Sequence, residues 1–98
     1  MSAKFKGITK KIRPFFKPYR IQYLGLFGSV ARGTDKKNSD IDLLVKFRTP
    51  PSLIEYIRLE ENLSQKLGKK VDLVSMGGVS FELKPFITRD LVTLYENR

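Results

Sequence analysis

The sequence contains no cysteine, histidine or tryptophan. Without Cys and His the chain has no thiolate nucleophile, no structural zinc site and no Ser-His-Asp triad. Any catalysis must therefore use carboxylates, hydroxyls, lysine or arginine. The longest apolar run, Ile41 to Val45, is interrupted by Asp42, and the N-terminus has no secretory hydrophobic region. We expect no membrane span, and a cytoplasmic protein.

Acidic residues are absent from the first 20 positions. The chain of 98 residues carries a net charge of +9, and residues 1–20 alone carry +7. A chain of this length is expected to form one domain over residues 1–98 with a modest core. The basic segment is open to two interpretations, a solvated helix face or a surface for an acidic partner or nucleic acid. Its basic residues are Lys4, Lys6, Lys10, Lys11, Arg13, Lys17 and Arg20.

Apolar residues in residues 5–20 recur at helical spacing, with the basic residues on the other side. Pro14 and Pro18 each delete a helix hydrogen bond, so we expect this helix to be broken or kinked. A second helix is predicted after Ser52 and Glu55, which form a capping box, and Gly68 is placed to end it. Its expected apolar positions are Leu53, Tyr56, Ile57, Leu63 and Leu67.

Four segments read as strands, and a short helix is predicted over residues 82–89. The order of these elements indicates an α/β (α+β) fold with a mixed sheet. The predicted strands are Ile21–Phe27, Ser39–Phe47, Lys70–Ser75 and Leu91–Tyr95.

Asp40 and Asp42 lie two residues apart on the second predicted strand. The strand period of two places both carboxylates on one face, with Ile41 and Leu43 on the other. Neighbouring carboxylates resist joint ionisation unless cations lie between them. In a chain without Cys or His, such oxygen ligands indicate Mg²⁺ or Mn²⁺. Taken alone, the pair also fits a solvated strand face.

A third aspartate, Asp72, lies between apolar residues on the next predicted strand. A charge buried in such a strand is costly, so we expect Asp72 to bind metal or to pair with a cation. Together the three aspartates can form a two-metal site for phosphoryl transfer. Asp72 is also a candidate to accept the proton of an attacking hydroxyl. The candidate cations are Lys69, Lys70 and Arg32.

Gly28 and Ser29 follow a predicted strand and begin a helical turn. Such a turn exposes backbone N–H groups to an anion, while glycine allows close approach and serine offers a hydroxyl. Arg32, one turn later, can reach a phosphate or an acidic neighbour. The residues also fit an ordinary strand-to-helix turn, and the sequence has neither a Walker A loop nor a dinucleotide fingerprint.

The combination of these motifs resembles a known family. Phe27-Gly28-Ser29, ten further residues and then Asp40-Ile41-Asp42-Leu43 resemble the signature of the polymerase-β-like nucleotidyltransferases. GSVARG, SDIDLLV, VDLVS and the ELKPFI and LYE ending look most like the minimal nucleotidyltransferases (MNT) of HEPN/MNT toxin–antitoxin pairs. The resemblance extends from about residue 8 to residue 96 and implies a palm fold, a mixed sheet of four or five strands with helices packed on it.

The resemblance also implies a role for each motif. It assigns nucleotide phosphates to Gly28 and Ser29, and catalysis with Mg²⁺, two ions being expected, to Asp40, Asp42 and Asp72. It implies transfer of AMP from ATP, which in characterised antitoxins goes to a tyrosine of the HEPN ribonuclease toxin and silences it. A separately encoded HEPN-type partner is therefore expected.

Two functions of other classes remain open from the sequence. An antitoxin could neutralise its partner by contact alone, with structural aspartates. A basic protein could bind nucleic acid through residues 1–20. A homodimer is a further option, because a short mixed sheet can leave an edge strand or an apolar face uncovered.

Overall fold

One sheet positions all of the candidate site residues. A computed structural model describes residues 2–97 of the chain. Its strands are β1 (Ile21–Phe27), β2 (Ile41–Phe47), β3 (Val71–Ser75) and β4 (Val92–Glu96). Its helices are α1 (Ala3–Ile12), α2 (Gly28–Arg32), α3 (Leu53–Leu67) and α4 (Lys84–Asp90), with 3₁₀ turns at Arg13–Phe15 and Met76–Gly78.

The four strands form one mixed sheet in the order β3-β2-β1-β4. β1 pairs antiparallel with β2 and β4, whereas β2 and β3 are parallel. The connection between the parallel strands contains α3, since a parallel pair requires a long crossover. The expected α/β architecture is confirmed with four strands, and the last predicted strand is confirmed as β4.

The core lies between the sheet and a layer made by α1 and α3. Leu24 and Leu26 of β1 pair with Val45 and Leu43 of β2, and all four side chains are completely buried. Alternate residues of these strands point to the opposite face, where α4 lies. The sheet thus has a core face and a second face that is only partly covered.

The first helix bends where the sequence predicts it. α1 ends at Ile12, and the 3₁₀ turn that follows contains Pro14, which has no N–H to continue the helix. Ile8, Ile12 and Phe16 are buried on the predicted apolar side. All seven basic residues of this segment are exposed.

α3 begins and ends as its sequence predicts. Ser52 Oγ accepts a hydrogen bond from Glu55 N at 3.2 Å, and Ser52 N donates to Glu55 Oε1 at 3.1 Å, which completes the capping box. Gly68 ends the helix in the left-handed conformation, with a φ of 68°. Of the helices in residues 2–97, none has the length and apolar character needed to cross a membrane.

The predicted apolar face of α3 is only partly correct. Leu63 is buried as expected, but Leu53 and Ile57 are 74% and 45% exposed, and Leu59 is buried instead. At about 100° per residue, Leu53 and Ile57 lie about 60° and 100° around the helix from Tyr56, at the flank of the stripe that faces the core. The sequence pattern alone was too broad to show where that stripe ends.

We expect Ser52→Ala to lower the free energy of unfolding by about 1 kcal/mol, because the amide of Glu55 loses its acceptor. Urea denaturation followed by circular dichroism measures this change. Ser52→Asp is the matched control, since it retains an acceptor and should stay close to the wild type. Equal losses in the two variants would contradict the cap as the cause.

Candidate active site

Two aspartates lie side by side on the face of the sheet opposite the core. Asp42 and Asp72 are register partners in the parallel pair of β2 and β3, and neighbouring strands lie about 4.8 Å apart. The residues before them, Ile41 and Val71, are 5% and 1% exposed in the core. Strand alternation therefore turns both carboxylates away from the core and toward the same side.

Asp40 lies one residue before β2, at the same edge of the sheet. Its Oδ2 is 4.0 Å from Lys70 Nζ, and both side chains are well exposed. Within the described part of the chain, no three acidic side chains converge closely enough to enclose a metal ion by themselves. The three aspartates therefore share one edge of the sheet without forming a closed cage.

Gly28 lies directly against Asp42. Phe27, the last residue of β1, is the register partner of Asp42, and Gly28 comes next. Its φ of +74° lies in the left-handed region that favours glycine. A Cβ at this position would overlap Oδ2 of Asp42. Glycine is therefore favoured here by the backbone conformation, and any side chain would force the Asp42 carboxylate to move.

Ser29 lies in the first turn of α2 and is half-buried. Its carbonyl oxygen accepts a hydrogen bond from Thr34 N at 2.9 Å. The backbone carbonyl is used to close α2, so the backbone N–H in the first turn and the hydroxyl are the groups of Ser29 that can serve a ligand.

Arg32 is held by an acidic residue of α4. Its Nη1 donates to Asp90 Oδ2 at 2.7 Å, and the Asp90 side chain is only 8% exposed. Arg89 Nη2 lies 3.3 Å from the same oxygen. The hydrogen bonds from Arg89 and Arg32 hold the pKa of Asp90 below its ordinary range. Of the two targets expected for Arg32, a phosphate or an acidic neighbour, the structure shows the second.

Asp72 pairs with none of the three candidate cations. Arg32 binds Asp90, Lys69 lies near Asp35, and Lys70 lies near Asp40. The expectation that Asp72 is buried is also wrong, because β3 is an edge strand and the side chain is exposed. No ion pair of Asp72 is found within residues 2–97.

A cleft of about 340 Å³ lies beside the aspartates. Gly28, Arg32 and Asp72 form part of its wall, and residues of α4 form another part. Leu83, just before α4, and Phe86 of α4 are 54% and 60% exposed there, although both are apolar. The cleft therefore joins a charged end, next to the carboxylates, to an apolar wall.

Burial raises the pKa of Asp42, and the charges of Asp72 and Asp40 raise it further. The charge of Arg32 opposes the shift. Asp42 is thus a partly buried carboxylate whose ionised form is disfavoured by its neighbours. A divalent cation would relieve this repulsion.

The donor set fits Mg²⁺ or Mn²⁺. These hard cations prefer oxygen ligands, and Mg²⁺ commonly uses one or two carboxylates together with substrate phosphates and water. Asp42 and Asp72 provide adjacent carboxylates beside an open cleft. An open arrangement of this kind leaves room for the phosphate oxygens that would complete the coordination.

Comparison with known proteins decides the class of the chain. Residues 10–98 match the family model described as "Polymerase beta, Nucleotidyltransferase". The chain belongs to the polymerase-β nucleotidyltransferase family. This match confirms the predicted resemblance, the palm fold and the assignment of the chain as a nucleotidyltransferase.

Similar proteins indicate the subgroup of nucleotidyltransferases, the minimal nucleotidyltransferases that include the protein adenylyltransferase MntA. Protein adenylyltransferase MntA of Thermococcus cleftensis is 39% identical over 74 residues, 76% of this chain and 75% of the relative. A crystal structure of a toxin–antitoxin with AMP-PNP has a TM-score of 0.78 and 28% identity, over 92% of this chain and 74% of that one. An MNT antitoxin in complex with the tri-AMPylated HEPN toxin of Shewanella oneidensis shares the fold, with a TM-score of 0.73 and 23% identity, over 95% of this chain and 73% of that one.

Sequence reasoning missed Asp90 and Arg89. The last helix was predicted to end at residue 89, but it includes Asp90. Arg32 and Asp90 are 58 positions apart in the sequence, and only the packing of α4 beside α2 brings them together. In the sequence, the only local sign of these contacts is that Arg89 and Asp90 are adjacent at the end of a helix.

We expect Gly28→Ala to destabilise the protein more than Gly33→Ala does. Gly33 is a matched control, because its φ of +77° is similar but nothing lies within 4 Å of an added Cβ. Gly33→Ala should cost about 1 kcal/mol from the backbone alone. Gly28→Ala should cost about 1–3 kcal/mol more from overpacking against Asp42. Denaturant unfolding of both variants measures the difference.

The additional loss of unfolding free energy in Gly28→Ala should disappear when it is combined with Asp42→Ala, because the carboxylate that overlaps the new methyl group is gone. An excess that persists in the double variant would show that Asp42 is not the group against which Gly28 packs.

We expect Asp42→Asn to raise the thermal midpoint in metal-free buffer at pH 7. Because folding raises the pKa of Asp42 above its ordinary value of 3.8, the neutral carboxyl favours the folded state at low pH. That contribution is lost as the pH rises through the folded-state pKa. In thermal scans with EDTA between pH 4 and pH 8, the thermal midpoint of the variant should therefore rise relative to that of the wild type as the pH increases.

Asp35→Asn is the control of opposite sign. A hydrogen bond from Lys4 lowers the pKa of Asp35, so its ionised form favours the folded state and its contribution is lost only as the pH falls below the ordinary value of 3.8. The scans of this variant therefore extend down to about pH 2. If the two variants respond to pH in the same way, the repulsion at Asp42 is not the cause.

Proposed function

We propose that this chain transfers AMP from ATP to a hydroxyl group in a reaction that depends on Mg²⁺ or Mn²⁺. The observation that carries the proposal is that the Gly28 turn and the Asp42–Asp72 pair meet at one end of the sheet, beside an open cleft. The similarity to the adenylyltransferase MntA and to a toxin–antitoxin with AMP-PNP supports ATP as the substrate.

Asp42 and Asp72 are the residues that would hold the metal, with Asp40 beside them, and the family resemblance implies two ions. Bound metal would neutralise phosphate oxygens and stabilise charge on the attacking and leaving oxygens. The role of the chain is to fix two carboxylates by strand pairing and to keep an open side for the nucleotide.

The cleft would hold ATP with its phosphates toward Gly28 and Ser29. Gly28 lets a phosphate approach the backbone closely, because it carries no side chain. Arg32 adds positive charge, and Asp90 fixes the orientation of its guanidinium. The apolar surface of Leu83 and Phe86 suits a purine ring.

In the transfer, the acceptor hydroxyl oxygen forms a bond to the α-phosphorus of ATP. The bond from the α-phosphorus to the bridging oxygen breaks, and pyrophosphate leaves. The proton of the hydroxyl passes to a carboxylate, since the sequence has no histidine. Asp72 suits this step, because it is exposed and lines the cleft.

The acceptor in our proposal is a tyrosine of a separately encoded HEPN-type toxin, which this chain would silence as its antitoxin. The support is the family resemblance and the similarity to toxin–antitoxin structures. The open side of the cleft leaves the acceptor to bring its own binding surface. A large protein acceptor meets that requirement better than a small molecule does.

Incubation of the purified chain and its HEPN-type partner with α-labelled ATP and Mg²⁺ should transfer label to the partner. Asp40→Ala plus Asp42→Ala should reduce the rate more than about 100-fold, because the metal loses its ligands. Asp35→Ala is the matched control, since Asp35 pairs with Lys4 outside the cleft. The rate is measured by gel autoradiography.

Absence of transfer by the wild type, or equal transfer by the double variant, would contradict the proposal. Toxicity assays on the same variants separate the contact-only alternative. If the double variant silences the partner as well as the wild type does, binding alone accounts for the antitoxin effect.

A further inference from the structure

The N-terminal segment carries an excess of exposed positive charge, although Lys4 pairs with Asp35 and Arg20 lies near Glu55. All seven of its basic side chains are exposed, and within residues 2–97 only Lys4 forms an ion pair with an acidic residue, Asp35. The apolar side of α1 is buried in the core through Ile8 and Ile12. The helix therefore has no apolar side left to insert into a lipid surface, and what it offers a partner is positive charge.

This basic surface runs from the start of α1 to the start of β1. At one end Lys4 lies 3.1 Å from Asp35, in the loop that leads to β2. At the other end Arg20 comes directly before Ile21, the first residue of β1. Gly28 lies beyond the opposite end of this strand, about 26 Å from Arg20 at 3.3 Å per residue. A partner at the Arg20 end of this surface can thus be bound without occupying the nucleotide cleft, whereas the Lys4 end lies at the same end of the sheet as Gly28.

A second cleft, of about 350 Å³, lies at the Arg20 end of the surface. Lys17, Arg20 and Arg48 contribute three positive charges to its wall, and Arg48 N donates to Arg20 O at 2.8 Å. Tyr95 lines the same cleft and is partly exposed, with its ring 4.4 Å from the ring of Phe16. Cations beside a supported aromatic ring are the groups that bind a phosphate and the face of an unpaired base.

Arg20 occupies an uncommon backbone conformation. Its φ is 55°, and it is the one residue other than glycine with a positive φ in the described chain. Glycine would adopt this conformation with less strain. Arg20 thus places a charged side chain at the cleft, although glycine would adopt this backbone conformation with less strain.

We propose that the basic surface from Lys6 to Arg20, together with this second cleft, binds the sugar-phosphate backbone of a single-stranded nucleic acid. On α1, Lys6 and Lys10 lie one helical turn apart, about 5–6 Å from each other, and can contact successive phosphates. Beyond the bend, Lys17 and Arg20 add positive charge at the second cleft. A single strand fits better than a duplex, because only unpaired bases expose a face to an aromatic ring.

The test is fluorescence anisotropy with the full chain and labelled 12-nucleotide oligo(U) or oligo(dT). We expect binding that weakens with salt, with a log–log slope of about −0.7 for each phosphate contacted. Tighter binding of one oligonucleotide would assign RNA or DNA as the source. An absence of binding to both at 50 mM salt, or a flat salt response, would overturn the proposal.

Two double variants that remove the same charge locate the site. Lys17→Ala plus Arg20→Gly should weaken binding about tenfold and reduce the salt slope by about 1.4, the value for two phosphates. Lys37→Ala plus Lys84→Ala, on other exposed surfaces, should change binding much less. Equal losses in the two variants would overturn the proposal, because they would show a response to net charge alone.

Two further controls test whether the variants fold and whether the surface binds any polyanion. Arg20→Gly relieves a strained backbone, so its thermal midpoint should not fall. Polyglutamate and phosphatidylserine vesicles serve as competitors. If either displaces the oligonucleotide as effectively as unlabelled oligo(U) does, the surface does not recognise a nucleic-acid backbone and the proposal fails.

Discussion

The parallel pairing of β2 with β3 is the constraint on which the rest of the site depends. It makes Asp42 and Asp72 neighbours across the sheet, although like charges in that position repel. The same strands bury Leu43 and Leu73 on the core face, so their register cannot slip by one residue without exposing the core. The hydrophobic core therefore holds the two carboxylates together against their repulsion. A divalent cation bound between them would relieve that repulsion.

The surroundings of the pair follow from this constraint. Antiparallel pairing of β1 with β2 brings the end of β1 beside Asp42, which leaves Gly28 no room for a side chain. The helix that begins at Gly28 then carries Arg32 to Asp90. A positive group is thus fixed close to the acidic pair, and the cleft between them has the charge pattern that a metal–phosphate substrate requires.

Local signals in the sequence were sufficient for most elements and for the site's position. Ser52 and Gly68 set the ends of α3 by backbone chemistry alone. The predicted strand at Asp40 and Asp42 is confirmed from Ile41 onward, but Asp40 lies before it, so strand alternation does not determine its direction. Contacts between distant segments were not accessible in this way. The ion pair of Arg32 with Asp90 depends on how α4 packs, and the exposure of Asp72 depends on β3 being an edge strand. The roles assigned to the site residues stay predictions.

The central claim is that Asp42 and Asp72 hold a metal next to a nucleotide in the cleft of Gly28. A crystal structure of the chain with Mn²⁺ and a non-hydrolysable ATP analogue, with anomalous diffraction used to locate manganese, tests it most directly. The account predicts a manganese peak in contact with both carboxylates and phosphates against Gly28 and Ser29. A nucleotide bound elsewhere, or manganese absent from the two aspartates while the analogue is bound, would contradict it.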